Sequence, residues 1–295
     1  MNQERVAGAA VATPLTSDLR VDHACLIAHG AQLLDRGIDQ LTLFGTTGEG
    51  ASFSREEKSD AIDRCSAAGI GAEQLGSGVF ALSPVDAGED ARAAFDSGCG
   101  QVLLAPPSYY KGIEDDGLLH WFSEAIESAG PNPGQFILYH IPAMTQVELS
   151  AELVNRLKAR FPGVVTGVKD SSGNWPHTER LISECRELNV FVGHEGQLER
   201  GIRAGACGSI AGSANVLPEV INAIVHNASE QPNLSELIDE LLRHPVIAAV
   251  KALIAHRLDR PAWLTVRPWY APVSYTHLRA HETRHELVCR LLLEK

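Results

Sequence analysis

Eight short apolar runs alternate with eight longer amphipathic stretches between residues 9 and 227, and this alternation limits the fold more than any other feature of the chain. The runs are almost continuously apolar, which is typical of parallel strands that are buried on both faces. Eight consecutive strand–helix units predict an α/β protein of the (β/α)8 TIM barrel class. The predicted strands cover residues 9–15, 40–45, 75–81, 101–106, 136–141, 164–169, 190–193 and 208–212.

The amphipathic stretches predict the helices of these units, and several carry recognisable cap residues. Ser54 is followed three residues later by Glu57, the spacing of a capping box. Gly69 and Gly205 stand where two of the helices should end. The predicted helices cover residues 22–36, 54–68, 84–97, 116–129, 150–160, 176–188, 197–204 and 218–227.

The alternation stops near residue 229, and this change predicts the domain organisation. Residues 1–228 are predicted to form the catalytic barrel, and residues 229–273, with helices expected at 234–243 and 245–258, a small C-terminal helical extension. A doubly wound sheet is the competing fold. It gains no support from nucleotide-binding motifs, because the chain has no G-x-G-x-x-G after a strand and no G-x-x-x-x-G-K-[ST].

Charge and composition narrow the possible partners. The 295 residues include 25 Lys and Arg against 37 Asp and Glu, a net charge of −12. An acidic surface repels phosphates, which argues against nucleic-acid and anionic-membrane partners but permits an anionic small substrate. No apolar run approaches the roughly 20 residues of a spanning helix. The six cysteines show no paired or metal-like spacing, which predicts reduced thiols in a cytoplasmic protein.

A barrel of this class places its active site at the carboxyl ends of its strands, so reactive residues are sought there. The second predicted strand ends in the sequence Gly45-Thr46-Thr47-Gly48-Glu49. Two hydroxyls between glycines, with the neighbouring backbone N–H groups, can form a cradle for a carboxylate. A glycine-rich turn without a ligand is the alternative interpretation.

The sixth predicted strand ends at Lys169, followed by Asp170. Burial at a strand end favours the neutral amine, which is a nucleophile towards carbonyl carbons. Alternatively, the amine pairs with Asp170 or another acid. The remaining lysines are expected in loops, amphipathic helices or the terminus; they are Lys58, Lys111, Lys158, Lys251 and Lys295.

The fifth predicted strand ends in Tyr139-His140-Ile141-Pro142 and neighbours the sixth in a barrel. The Tyr139 phenol should therefore lie within reach of the Lys169 amine, where it can move a proton to and from a reacting carbonyl. A buried tyrosine with a structural hydrogen bond is the alternative. His140 alternates to the opposite side and is interpreted as a packed residue.

A lysine nucleophile, a tyrosine proton relay and a threonine cradle are together the parts of a Schiff-base enzyme that acts on a 2-oxo acid. The chain resembles the dihydrodipicolinate synthase / N-acetylneuraminate lyase family from about Ala10 to Pro272. This resemblance implies a (β/α)8 barrel with pyruvate-type Schiff-base chemistry, no cofactor or metal, and a homo-oligomer, either a tetramer or a dimer. The motifs that carry it are residues 45–49, 139–142 and 167–170.

The resemblance also implies roles for individual residues. Lys169 would form the imine, Tyr139 would be the acid/base, and Thr46 would join the proton relay. Thr47 and Gly48 would hold the carboxylate of the 2-oxo acid through a hydroxyl and backbone amides.

A tyrosine of this family reaches into the site of a neighbouring subunit, and two residues of this chain match it. Tyr110 is the assigned residue, which makes it part of the catalytic set, and the adjacent Tyr109 is the alternative register.

One position departs from the family pattern. Dihydrodipicolinate synthases carry an Arg two residues after the Pro that ends strand five, where it binds the carboxylate of aspartate semialdehyde. Here Pro142 is followed at that spacing by Met144. A thioether cannot make the bidentate, charge-assisted pair that an arginine gives a carboxylate. Met144 is therefore predicted to line the substrate site without binding an acid.

The ends of strands seven and eight add further candidates for substrate binding. Glu195 matches the loop that, in sialic-acid-type lyases, supplies acids to substrate hydroxyls; a solvated loop acid is the alternative. On weaker grounds, Ser209 and Asn215 are predicted to line the same pocket.

The predicted function is a class I lyase that cleaves or forms a C–C bond in a hydroxylated 2-oxo acid, such as a 2-keto-3-deoxy sugar acid or a 4-hydroxy-2-oxo acid. Dihydrodipicolinate synthase proper and a sugar-acid dehydratase are alternatives on the same imine machinery. An alternative from another class is a non-catalytic barrel that binds a 2-oxo acid without turnover.

Residues 274–295 carry a competing motif, because His281-Glu282-Thr283-Arg284-His285 matches the H-E-x-x-H signature of zinc proteases. Few residues follow it, which leaves little room for a third zinc ligand. The segment resembles a translated adaptor, so it is predicted to be a tail of doubtful origin and an assembly artefact. A native amphipathic helix is the alternative.

Overall fold

The computed structural model describes residues 4–130 and 134–267, and its centre is a closed barrel of eight parallel strands in sequence order. Helices alternate with the strands around the barrel, so the predicted (β/α)8 architecture is confirmed. The strands are β1 Val6–Ala10, β2 Gln40–Leu43, β3 Leu75–Val79, β4 Gln101–Leu104, β5 Gln135–His140, β6 Val165–Asp170, β7 Asn189–Val192 and β8 Gly208–Ala211.

The helices follow the predicted stretches closely. The capping box at Ser54 and Glu57 is present with both of its hydrogen bonds, and Gly69 and Gly205 have the positive φ angles typical of residues that end helices. The α-helices in the described residues are α1 His23–Asp35, α2 Arg55–Ala67, α3 Pro84–Asp96, α4 Asp115–Ser128, α5 Pro142–Thr145, α6 Ala151–Arg160, α7 Trp175–Glu184, α8 Leu198–Ala204, α9 Pro218–Asn227, α10 Leu234–Leu241 and α11 Val246–Leu258.

The first strand lies earlier than predicted, at Val6–Ala10 instead of residues 9–15. The apolar residues after it, up to Leu15, are buried, but they line the loop at the carboxyl end of the strand. The apolar run therefore extends beyond the last residue of β1 that pairs with a neighbouring strand, which is why the sequence placed this strand too late. The strand itself consists of small residues because β8 packs closely on it: a Cβ at Gly8 would lie 2.7 Å from the backbone oxygen of Ser209.

The interior of the barrel is a packed core, with alternate residues of each strand pointing inwards. Its apolar side chains include Leu103, Ile137, Tyr139, Phe191 and Ile210. Glycines leave room for two of the long side chains, because a Cβ at Gly193 would lie 3.0 Å from Lys169 Cε and one at Gly167 would lie 3.2 Å from Phe191 Cε2. The register places Tyr139 and Lys169 side by side on β5 and β6, one residue before the end of each strand.

Two helices follow the barrel, as predicted for the C-terminal extension. Helix α10 buries Leu234, Leu237, Ile238 and Leu241, and α11 is buried from Ile247 to Ala255. No helix within residues 4–130 and 134–267 is both long enough and apolar enough to cross a membrane. The H-E-x-x-H motif and the whole of segment 274–295 lie outside the described residues.

Candidate active site

The centre of the site is a buried pair, Lys169 and Tyr139, at the carboxyl end of the barrel. The two residues are partners in the parallel register of β5 and β6, and their exposed fractions are only 4% and 2%. The Lys169 Nζ donates to Tyr139 Oη over 3.4 Å and stands 4.5 Å from the centre of the phenol ring. The amine and the phenol are thus placed for proton exchange.

Thr46 extends this pair into a chain of three polar groups. Its Oγ1 lies 3.2 Å from Tyr139 Oη, within hydrogen-bonding distance. Thr46 follows β2, across the barrel from β5 and β6, so the contact forms only when the barrel closes. The structure therefore brings together the lysine, tyrosine and threonine that the sequence singled out.

Asp170, the alternative partner of the lysine, points to the opposite face of β6. Its carboxylate accepts hydrogen bonds from His140 Nδ1 at 2.9 Å, Thr178 Oγ1 at 2.6 Å and Ser172 N at 2.9 Å. Burial raises the pKa of Asp170, but the bonds from His140 and Thr178 outweigh burial and hold the pKa below its usual range. Asp170 therefore does not pair with the Lys169 amine, which instead hydrogen-bonds to Tyr139 Oη.

The loop after β2 is tightly folded around its glycines. Gly50 N donates to Gly45 O over 3.0 Å, and Glu49 N donates to Thr46 O over 3.0 Å. A Cβ at Gly48 would lie 2.7 Å from the backbone oxygen of Val11, so only glycine fits at this position. Glu49 itself has a left-handed φ of 60°, a strained conformation of the kind that collects at functional sites.

Thr47 and Glu195 both lie close to Gly212, the residue that directly follows β8. A Cβ at Gly212 would lie 3.0 Å from Thr47 Oγ1 and 3.9 Å from Glu195 Oε1, so both side chains border this glycine. Glu195 Oε1 already accepts hydrogen bonds from Ser213 N at 2.9 Å and Ser213 Oγ at 3.0 Å. Glu195 is therefore a half-buried acid anchored to the β8 loop, not a freely solvated one.

The expectation for Lys251 was wrong, because this lysine is one of the most deeply buried residues in the described chain. Its Nζ donates to Glu49 Oε1 at 2.6 Å and to Thr13 O at 2.8 Å, and the side chains of Lys251 and Glu49 are fully buried. Helix α11 has apolar residues on all sides and is not amphipathic. The C-terminal extension thus holds the loop that carries Thr46 and Thr47.

Ser209 does not line the site. It pairs with Val192 in the register of β7 and β8, on the outer face of the barrel wall, whereas its neighbour Ile210 points into the interior core. Ser209 has no exposed surface, and its hydroxyl donates to Val192 O at 2.6 Å. The prediction failed because strand β8 begins with an inward-facing residue, which puts the serine outside.

Asn215 is likewise a structural residue, which ties the loops after β1 and β8 together. Its Nδ2 donates to Ala10 O at 2.8 Å and Gly212 O at 2.7 Å. Its Oδ1 accepts from Ala12 N at 3.0 Å and contacts His29 Nε2 at 3.0 Å. Because the oxygen is the acceptor, His29 must carry its proton on Nε2.

The environment of His29 predicts a loss of stability in mild acid. Burial lowers the pKa of His29, and the bond to Asn215 offsets only part of this effect. The ordinary pKa of a histidine side chain is 6.5. Below this pH the imidazole of the unfolded chain is protonated, whereas the buried imidazole of the folded protein stays neutral. The free energy of unfolding therefore falls as the pH falls from 7 to 5. We expect His29→Gln to flatten this slope by up to about 1.4 kcal/mol per pH unit. Urea unfolding at several pH values measures it. An unchanged slope in His29→Gln would contradict the assignment.

Tyr109 and Tyr110 project from the loop between β4 and α4, and each is 72% exposed. Their rings meet edge to face at 5.2 Å between centroids. Lys111, the next residue, holds this loop by donating to the backbone oxygens of Ser108 and Thr145. Neither tyrosine is buried in the site of its own chain.

A cavity of about 280 Å³ opens next to Thr46 at the same end of the barrel. Met144, the residue expected to line the substrate site, lines this cavity and is 53% exposed. Sequence reasoning did not single out most of the other lining residues, among them Phe80 and Ile247. Phe80 directly follows β3, and this place at the carboxyl end of a strand could have identified it as a site residue. Ile247 lies in helix α11, and nothing in the sequence indicates that it reaches the cavity.

A buried lysine beside a tyrosine at the carboxyl end of a (β/α)8 barrel defines an enzyme of the class I lyase type. Comparison with known proteins agrees with this class. The sequence model of the Dihydrodipicolinate synthetase family matches residues 4–285. The chain belongs to this family of lyases.

Three similar proteins illustrate the family. An uncharacterized DapA-like lyase of Chloroflexus aurantiacus is 31% identical over 281 residues, which are 95% of this chain and 91% of that protein. The crystal structure of dihydrodipicolinate synthase from Agrobacterium tumefaciens is 41% identical, with a TM-score of 0.91 over 97% of this chain and 99% of the other. A 2-keto-3-deoxygluconate aldolase variant of Sulfolobus solfataricus is 25% identical, with a TM-score of 0.80 over 97% and 99%.

Proposed function

We propose that this lyase forms a Schiff base between Lys169 and a 2-oxo acid of the pyruvate class, and makes or breaks a C–C bond in a hydroxylated 2-oxo acid. The observation that carries the proposal is the 3.4 Å contact between the Lys169 amine and the Tyr139 phenol, both of which belong to buried residues inside the barrel. Because Asp170 is engaged on the other face of β6, the amine is available as a nucleophile to a carbonyl carbon.

The reaction follows from these groups. The amine of Lys169 adds to the carbonyl carbon, and loss of water leaves an imine. The imine withdraws electrons, so the carbon next to it can lose a proton and become an enamine. The enamine carbon attacks an aldehyde carbon, and the aldehyde oxygen takes up a proton through Tyr139. Water then releases a 4-hydroxy-2-oxo acid from Lys169; cleavage is the same sequence reversed.

The loop after β2 supplies the binding site for the carboxylate of the 2-oxo acid. In this part of the described chain, the bonds within the loop use the amides of Glu49 and Gly50 and not those of Thr47 and Gly48. The two remaining amides and the Thr47 hydroxyl are available to a carboxylate. Thr46, bonded to Tyr139, passes the proton onwards.

Met144 is proposed to influence which aldehydes the enzyme accepts as the second substrate. Its thioether offers no positive charge to a carboxylated aldehyde, so we propose that aspartate semialdehyde is a poor partner, although dihydrodipicolinate synthase is the name of a similar protein. Glu195, near Thr47, remains the candidate acceptor for a substrate hydroxyl. Tyr110, 72% exposed, is proposed to enter the site of a second copy in a homo-oligomer.

Reductive trapping tests the imine. Pyruvate and borohydride should together give a stable adduct at Lys169, located by peptide mass. Tyr139→Phe should lower turnover by roughly 10²–10⁴-fold, because it removes the proton relay, while still allowing the adduct to accumulate. If pyruvate binds but no adduct forms on Lys169, the Schiff-base proposal is wrong and the chain is a non-catalytic binding barrel.

A further inference from the structure

The cavity beside Thr46 lies next to the Lys169–Tyr139 pair, from which residues such as Thr46 and Phe80 separate it. Thr46 lines it and contacts Tyr139 Oη at 3.2 Å. Phe80 also lines it, with its ring edge to face against the Tyr139 ring at 6.4 Å between centroids. The Tyr139 phenol does not line the cavity itself, but it contacts two residues that do. The cavity volume of about 280 Å³ is near the lower end for ligand pockets, which suits a small partner.

Apolar side chains make up most of the lining, and they come from four strand ends and the C-terminal extension. The loops after β3, β4 and β5 contribute one wall, and α11 closes the cavity from the other side. Met144 stands at the opening, 53% exposed, whereas Ile141 and Ile247 are buried. The apolar lining residues are Ala51, Phe80, Ala105, Pro106, Ile141, Met144 and Ile247.

Five lining residues carry polar side chains: Thr46, Glu49, Ser52, Ser108 and Thr145. Three of them already hydrogen-bond within the protein, and the first, Thr46, contacts Tyr139 Oη. The Glu49 carboxylate is bonded to Lys251, and the Thr145 hydroxyl donates to Ile141 O at 3.1 Å. Within residues 4–130 and 134–267, no Lys, Arg or His lines the cavity. The ammonium of Lys111 is taken up by the backbone oxygens of Ser108 and Thr145. The cavity thus offers no cation to a carboxylate. To a polyol it offers the hydroxyls of Ser52 and Ser108, besides polar groups that already hydrogen-bond within the protein.

We infer that the aldehyde partner carries an apolar substituent, aliphatic or aromatic, and that the product is a 4-hydroxy-2-oxo acid with that apolar group on C4. This inference rests on the proposed Schiff-base function and specifies its substrate class. Each unpaired hydroxyl of a sugar-type aldehyde would lose its hydration on entering the cavity, and a carboxylate would lose more. Apolar aldehydes should therefore exceed both other kinds in kcat/KM by on the order of 10–100-fold.

A panel of aldehydes tests this inference with the full-length protein. Pyruvate is supplied with benzaldehyde or isobutyraldehyde, with glyceraldehyde, or with succinic semialdehyde, and formation of the 4-hydroxy-2-oxo acid is measured. We expect the two apolar aldehydes to be preferred. Met144→Arg should raise kcat/KM for succinic semialdehyde by roughly tenfold and lower it for the apolar pair. Leu242→Arg, an equally exposed position outside the cavity lining, should leave the order unchanged.

The outcomes separate this inference from the proposed function. If borohydride traps pyruvate on Lys169 but glyceraldehyde or succinic semialdehyde is preferred, the apolar assignment is wrong and the Schiff-base lyase stands. Trapping without turnover of any aldehyde also overturns the assignment. If no adduct forms, both proposals fail together.

Discussion

Replacing Lys169 with arginine should lower kcat/KM for 2-oxo acid turnover by roughly 10⁴-fold or more, because the guanidinium keeps the positive charge but cannot form the imine. Lys169→Arg should also abolish the borohydride adduct with pyruvate. The side chain lies inside the barrel, 4% exposed, and a Cβ at Gly193 would come within 3.0 Å of Lys169 Cε. The pocket is thus shaped around an extended lysine.

Two comparisons make this result specific. Lys158→Arg, on helix α6, makes the same chemical change away from the site and should retain wild-type activity. Tyr139→Phe should be slow but still trappable, whereas Lys169→Arg should be neither active nor trappable. Residual activity of Lys169→Arg within about tenfold of the wild type would show that the bond-making step does not pass through this amine.

The barrel and its central pair were predictable because both depend on local patterns. Strand–helix alternation sets the order of the strands, and a barrel then makes β5 and β6 neighbours. Tyr139 and Lys169 each stand one residue before a strand end, so their contact follows from pairing alone. The prediction for Ser209 was wrong by one position along β8. A shift of one residue along a strand moves a side chain from the inner face of the barrel to the outer face.

The support around the site was not predictable, since it comes from residues far apart in sequence. Lys251 and Glu49 are separated by 202 residues, and no periodicity relates a C-terminal helix to a loop after β2. Lysine is rarely buried, so a lysine in a helix is normally assigned to the surface. The apolar character of the surrounding helix, Val246–Leu258, was the one signal that could have corrected this assignment.

Lys251→Met should destabilise the folded protein by about 3–5 kcal/mol, because it leaves the Glu49 carboxylate buried without its cation. Burial lowers the pKa of Lys251, and the attraction of Glu49 offsets only part of this effect. The ion pair is therefore costly to bury and costlier still to break. The loss would be a large share of the usual 5–15 kcal/mol. Urea unfolding measures it, and Lys158→Met should stay within about 0.5 kcal/mol of the wild type.

The double variant Glu49→Gln/Lys251→Met decides whether the pair acts as a unit. Each single change strands one buried charge, but the double change removes both, so its loss should be smaller than the sum of the single losses by about 2–3 kcal/mol. The amide oxygen introduced by Glu49→Gln can still accept the bond from Arg267 N that the Glu49 carboxylate accepts now. Additive losses would contradict the coupling, and the contact between α11 and the loop of Thr46 and Thr47 would then rest on packing alone. If the coupling holds, pyruvate binding should weaken in both single variants, because each leaves an unpaired buried charge in or against the loop after β2 that we propose holds the substrate. Binding should recover in the double variant, because neither charge is then left to disturb the loop.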